Sequence, residues 1–422
     1  MLKTGKNAIV VVLDRMSAGY LGPYGNTWLA TPAWNRLASQ SLLFEHAWVD
    51  STDLGSLYQS YWRARHALVS DVHAPGGTLF DWLRDGAGVR STLITDEWEV
   101  AHHPLASSAD EPLYIAPDPV ERSAELIEHT QLARLVFYAA DWMSQPDRKN
   151  SSPFVLWLHA RCMAGPWDAP WSLRGELAAE EDPTPSDAIE VPECRLPADV
   201  DPDIRLGFSQ SYGGQVMAAD ACLEFLMSAL ELAPCGPDTL LLVTSSRGFP
   251  LGEHGVVGGG DPRLYSELLQ VPCLVQYPDG ASAAIRTQSL WQPELLPAML
   301  MDWFELPPPA SARCAERIGG LRDDQQITLL DRAVSVSTTQ IAMRTPGWFF
   351  TCPRASIDQD AAECELYAKP DDRWEVNQVA SRCPEVVAGL RAAWSQFASS
   401  AAEAFSHSHP MPPLPPQLMD PN

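Results

Sequence analysis

Three runs of unbroken apolar character constrain this chain most: residues 8–13 (AIVVVL), 154–159 (FVLWLH) and 239–244 (TLLLVT). A strand with one wet face alternates apolar and polar side chains, whereas a run apolar at nearly every position predicts a strand covered on both faces, as in a parallel sheet. Residues 91–95 (STLIT) are a weaker fourth run. Helical signals lie between them. Thr31-Pro32 opens a segment that runs to Ser39, and Val216, Leu223, Leu226 and Leu230 share one helical face. Strands alternating with helices predict a doubly wound, mostly parallel α/β sheet with helices on both faces. In such sheets the chemistry gathers at the carboxyl ends of the strands. Here those ends carry Asp14-Arg15, the stretch from His159 to Trp167, and residues 245–255.

After about residue 320 the pattern changes to short alternating segments at 333–338, 340–344 and 348–351, followed by a helical stretch at 384–405. The expected organisation is an α/β domain over 1–320, a small antiparallel α+β subdomain over 321–405, and a loose Pro-rich tail over 406–422. A chain of 422 residues, 45% hydrophobic and 20% charged, can bury a large core. Its 29 basic against 54 acidic residues give a net charge of −25, a field that repels phosphate backbones and argues against a nucleic-acid partner. Acid concentrates in residues 176–204, expected to be a solvated insertion. Nine cysteines without a close CxxC pair signal neither zinc nor a regular disulfide framework, so reduced thiols are expected. No apolar run is long enough for a membrane span, and the opening residues lack a signal-peptide cleavage pattern. The expected location is cytoplasmic.

The opening NAIVVVLDRMSAGYLGPYGNTWLATPAWNRLASQSLLFEHAWV resembles the start of sulfatases of the alkaline phosphatase superfamily, and TSSRGFPLGEHGVVGGGDPRLYSELLQVP resembles that family's second metal-binding loop. WQPELLPAMLMDWF, MRTPGWFF and ELYAKPDDRWEVNQVA follow in the family's order, so the resemblance covers nearly the whole chain. It implies an alkaline-phosphatase-like fold. It also implies a site in which one divalent cation, usually calcium, is held by two adjacent Asp after the first strand and by Asp with Asn or His after a later one. The nucleophile would be a Cys or Ser matured to formylglycine. A hard cation needs several oxygen ligands, mostly carboxylates, to hold nucleophile and sulfate together.

Carried over position by position, the match keeps the landmarks and loses the chemistry. Asp14 stands in the first ligand slot, but Arg15 replaces its neighbour, and Ser246 and Arg247 fill the later pair. The nucleophile slot falls on Leu54 and the downstream Arg on Tyr58. A shift of two residues would offer Thr52 or Ser56, hydroxyls that need an activating base or metal. The His of the family's PHxP segment falls on Ala164, and the expected lysine falls among Gly258, Gly259 and Gly260. No metal or other cofactor is therefore expected.

The expected product is a sulfatase-like pseudoenzyme that binds or scaffolds. The alternative is a sulfuric ester hydrolase, or a related phosphodiesterase or phosphonate hydrolase, using Thr52 or Ser56 and requiring calcium or another divalent cation. Asp14 is expected to pair with Arg15, Arg247 or Arg63, a guanidinium standing in for the cation. Arg15, Arg63 and Arg247, with Asp14, His159 and Trp167, form the candidate pocket for an anionic small molecule or sulfated glycan. A protein partner on the rim around Trp167 and Trp171 is the other candidate. His254 is a weak catalytic candidate, expected instead to order its loop.

Overall fold

The computed structural model describes residues 6–69, 76–145, 153–259, 263–309, 311–312, 318–323, 328–357, 363–403 and 412–420. Its strands, in chain order, are β1 (Asn7–Leu13), β2 (Leu42–Trp48), β3 (Arg90–Thr95), β4 (Glu111–Tyr114), β5 (Phe154–Ala160), β6 (Cys194–Arg195), β7 (Thr239–Thr244) and β8 (Val256–Val257). They continue with β9 (Gln270–Val271), β10 (Cys273–Gln276), β11 (Ile285–Trp291), β12 (Ala333–Val336), β13 (Gln340–Arg344), β14 (Trp348–Pro353) and β15 (Glu365–Ala368). The helices are α1 (Pro32–Ser39), α2 (Leu54–Arg63), α3 (Leu79–Ala87), α4 (Trp98–Ala101), α5 (Gln131–Ser144), α6 (Trp171–Gly175), α7 (Pro202–Leu232), α8 (Ser266–Leu269), α9 (Leu296–Trp303) and α10 (Pro384–Glu403).

The three apolar runs are the centre of the large sheet. Its strand order is β11-β2-β10-β7-β1-β5-β3-β4, with β9 on β2. β1 pairs in parallel with both β5 and β7, and every residue of the three is buried. One core packs Val10, Val12, Trp157 and Leu242 against α2 and α9, the other packs Ile9, Val11, Leu156 and Leu241 against α5 and α7. Successive side chains of a strand point to opposite faces, which is why these strands must be apolar throughout. β10 runs antiparallel to β7 and β2, a reversal inside the sheet that the residue pattern does not signal.

β12–β15 form an antiparallel four-stranded sheet, and α10 packs against one of its faces. This sheet is anchored to the lead-in of α2: the Val336 amide donates to the Asp50 carbonyl at 2.8 Å and the Ser335 hydroxyl to the Val49 carbonyl at 2.6 Å. The backbone entering the expected nucleophile slot is thus held from the C-terminal side of the chain.

Three expectations need correction. The cysteines are not all free thiols, since Cys352 and Cys364 are disulfide-bonded. The two residues sit on β14 and just before β15, neighbouring strands whose pairing brings them together across 12 residues of sequence. The tail is not loose where it is described: Leu414 and Leu418 are buried against α10 and the small sheet, and the Trp348 indole donates to the Gln417 carbonyl. Pro-rich backbone lacks donors, yet its apolar side chains fill a groove as well as any others. Residues 404–411 and 421–422, the end of the expected helix and parts of the tail, lie outside the described residues. The acidic stretch 176–204 is solvated over much of its length but is tied down. The buried Arg174 guanidinium donates to the carbonyls of Trp167, Ser186 and Ala188 at 2.6–2.8 Å, and β6 pairs with β8. Residues 202–204 of that stretch already belong to α7. No described helix is long and apolar enough to cross a membrane.

Candidate functional site

Asp14 follows β1 at the carboxyl edge, where its amide donates to the Ala160 carbonyl and its carbonyl accepts from the Met163 amide. Its side chain is fully buried. Arg247, in the loop after β7, lays a two-pronged fork on that carboxylate, Nε to Oδ1 and Nη2 to Oδ2, each at 3.0 Å. The third nitrogen, Nη1, donates to the Thr52 carbonyl at 2.7 Å. Ser246 adds a hydroxyl donor to the same Oδ1. A fork of this kind matches a carboxylate bidentately and carries a permanent charge, so a buried anion is compensated in place. Burial alone would raise the Asp14 pKa. The charge and hydrogen bonds of Arg247 outweigh it and hold the carboxyl below its ordinary range.

Arg15 adopts a left-handed backbone, φ 62°. Its carbonyl accepts from the Tyr212 hydroxyl at 2.7 Å, and that hydroxyl accepts from the Ser17 amide at 2.9 Å, which fixes the turn after β1. The Arg15 guanidinium sits near the Phe249 ring and 3.8 Å from Glu193. It also lies against Gly259: a Cβ built there would be 3.1 Å from Arg15 Nη2. The glycines in the family's lysine slot therefore leave room for a cation that comes from a different strand end. Gly260 lies outside the described residues. Burial, and then the charge of Arg247, lower the Arg15 pKa. Arg15, Thr52, Arg247, Phe249, Pro250 and Leu268 line a cavity of about 50 Å³, against the roughly 10–15 Å³ on the same measure that one water needs.

His159 ends β5 on the same edge. The Trp157 indole donates to the Tyr58 hydroxyl at 3.4 Å, and that hydroxyl lies 2.6 Å from His159 Nδ1. Tyr58 thus joins the indole and the imidazole in one buried chain of hydrogen bonds. Nε2 is buried with no partner among the described residues. Burial lowers the His159 pKa to about 4; Asp14 opposes that shift and Arg247 adds to it.

The remaining candidates separate from this cluster. Leu54, in the nucleophile slot, is the first residue of α2 and is packed into the core. The helix end that would receive an anion is occupied by Asp53, whose carboxylate accepts from the Ser56 amide at 2.8 Å. Ser56 lines a different cavity from Thr52. His254 is bound through Nδ1 to Glu267 at 2.7 Å and stacks flat on Tyr265 at 3.7 Å, a loop-ordering role. The Glu267 hydrogen bond and charge outweigh burial and raise its pKa. Two placements are corrected. Trp167 does not line a cleft; it is buried against Tyr212 and Phe249, with its indole on the Met163 carbonyl at 3.0 Å. Arg63 is at the far end of α2, a buried residue that takes no part in the Asp14 cluster. The Tyr58–His159 pair escaped the residue-by-residue reading, because it joins side chains 101 positions apart.

A divalent cation at Asp14 would compete with a guanidinium already bidentate on that carboxylate, with a second guanidinium nearby. Among the described residues no three His, Cys, Asp or Glu side chains converge as a metal cage.

A family model described as Sulfatase matches residues 6–305. The chain belongs to the sulfatase family. Among solved structures, the phosphonate monoester hydrolase of Agrobacterium radiobacter is 14% identical, with 95% of this chain and 96% of that one covered at a TM-score of 0.70. A protein solved with its substrate D-glucosamine-2-N,6-O-disulfate is 14% identical over 96% of this chain and all of that one, TM-score 0.73. A putative sulfatase from Bacteroides thetaiotaomicron is 17% identical over 99% and 96%, TM-score 0.70. Identities this low establish the shared fold of this sulfatase-family chain. No curated protein matches it in sequence.

Proposed function

We propose that this sulfatase-family protein has exchanged catalysis for binding, and that its remodelled site takes a small oxyanion, free sulfate or the sulfo group of a sulfated sugar. The observation that carries the reading is the Arg247 fork on Asp14. It puts a fixed organic cation where the family's chemistry needs a metal, and leaves Arg15 facing a small cavity with 16% of its side chain exposed. Arg247 is matched by Asp14, whereas Arg15 is paired loosely with the exposed Glu193 at 3.8 Å and is the charge an anion would meet, in a cavity that admits only a group of a few atoms.

Hydrolysis lacks an activated nucleophile. The described contact of Thr52 with Arg247 is through its carbonyl, and Ser56 faces away with Asp53 on its amide. The test pairs two measurements on the whole chain. Aryl sulfate and phosphonate monoester substrates, with and without added calcium or manganese, are expected to show no turnover above buffer. Thermal melting at low salt is expected to shift upward with inorganic sulfate, following mass action, and Arg15→Gln is expected to abolish that shift. Turnover that disappears in Thr52→Ala or Ser56→Ala, or one tightly bound metal per chain by elemental analysis, would establish the hydrolase instead.

A further inference from the structure

A second cavity opens at the start of α2, of opposite charge to the first. It measures about 350 Å³ and is lined by Asp53, Gly55, Ser56, Gln59, Trp98, Glu99, His102, His103 and Pro104. The floor is a glycine: a Cβ at Gly55 would lie 3.4 Å from Asp53 Oδ2 and 3.8 Å from Glu99 Oε1, so both carboxylates face the space above it. Neither carboxylate forms an ion pair among the described residues. Burial and then the charge of Asp53 raise the Glu99 pKa against the opposing charge of Arg247, and a cation between the two carboxylates would relieve their repulsion.

Two further features point to more than a bare cation. Gln59 is 1% exposed, and its Nε2 has no hydrogen-bond partner among the described residues. A buried amide donor without an acceptor costs free energy, and a ligand oxygen would satisfy it. Trp98 stacks on His102 at 4.4 Å and is otherwise 61% exposed, a flat platform at the mouth. His103 is pinned, with Nε2 on the Gly55 carbonyl at 3.0 Å and Nδ1 accepting from the Leu105 amide, so it shapes the wall as a neutral ring.

We propose that this cavity binds a hydroxylated primary amine of sugar size, an unsulfated amino alcohol. Its ammonium sits between Asp53 and Glu99, a hydroxyl oxygen accepts from Gln59 Nε2, and its carbon face lies on Trp98. The two cavities share no lining residue, and Arg247, beside the first, reaches Glu99 through its charge.

The test is calorimetric titration of the whole chain with three probes: glucosamine, glucose and 1,4-diaminobutane. Glucosamine is expected to bind saturably, and each of the others, lacking ammonium or hydroxyl, about tenfold more weakly or worse. Asp53→Asn keeps the helix cap, since Asn caps as well as Asp. Combined with Glu99→Gln it is expected to abolish glucosamine binding without lowering the melting temperature. Gln59→Leu is expected to weaken glucosamine while leaving diaminobutane unchanged. No saturable binding of glucosamine, equal binding of all three probes, or undiminished binding by the Asp53→Asn, Glu99→Gln protein would each overturn the proposal.

Discussion

Replacing Arg247 with alanine is expected to cost about 3–5 kcal/mol of folding stability, because it strips a buried carboxylate of its counter-charge. Asp14 is fully buried and accepts both prongs of that guanidinium, beside a neutral hydroxyl donor from Ser246. Arg247→Lys is expected to recover only part of the loss, since an ammonium restores charge without the fork. Pairing Arg247→Met with Asp14→Asn removes both charges and is expected to recover most of it, as removal of a whole buried pair generally does. Urea unfolding of the three variants beside the wild type measures these differences. A loss under about 1 kcal/mol in Arg247→Ala, the range of an exposed ion pair, would mean that the fork is decorative and that Asp14 is free for another cation.

Stability is also expected to fall steeply on acidification through His159. The unfolded imidazole takes up its proton near pH 6.5, whereas burial holds the native one neutral down to about 4. Between those values the unfolded state binds more protons, so stability declines as pH drops, by roughly 2–3 kcal/mol at pH 4.5 relative to pH 8, and levels off below 4. Buried Asp96, raised to about 6 by burial, works in the opposite direction: its native form keeps a proton the unfolded chain has lost, and stability falls as pH rises from 3.8 to 6. The His159 contribution is therefore read as the difference between wild type and His159→Asn, whose carbonyl can accept the Tyr58 hydrogen bond. A difference that stays flat from pH 8 to pH 4.5 would show that the imidazole is not held neutral in the native protein.

The same cluster shows how far the residues alone carry the reading. That Asp14 stands in its expected slot while Arg15, Ser246 and Arg247 fill the other expected ligand slots is visible in one line of sequence, because those slots are fixed by neighbouring landmarks. Which arginine meets the carboxylate is not. Arg15, Arg63 and Arg247 are equivalent in composition, and only the loop after β7 delivers a guanidinium to Asp14 with fork geometry. Arg15 is turned instead by its left-handed backbone toward Gly259 and Glu193. Trp167 was misplaced for a related reason: GPWDAPW reads as a rim, but a Trp beside two prolines packs wherever Tyr212 and Phe249 leave a slot.

The sequence by itself determined the layered α/β sheet, the family, and the residue types at the old catalytic positions. Each depends on a short-range signal: doubly buried strands must be apolar at every position, and the slots are counted from adjoining turns. The tertiary structure alone decided the antiparallel reversal at β10, the Tyr58–His159 hydrogen bond, the Cys352–Cys364 pairing and the acidic cavity under Trp98. Those features join groups brought together by folding, and the free energy that selects each partner comes from burial and hydrogen bonding across the whole core, which no local pattern encodes.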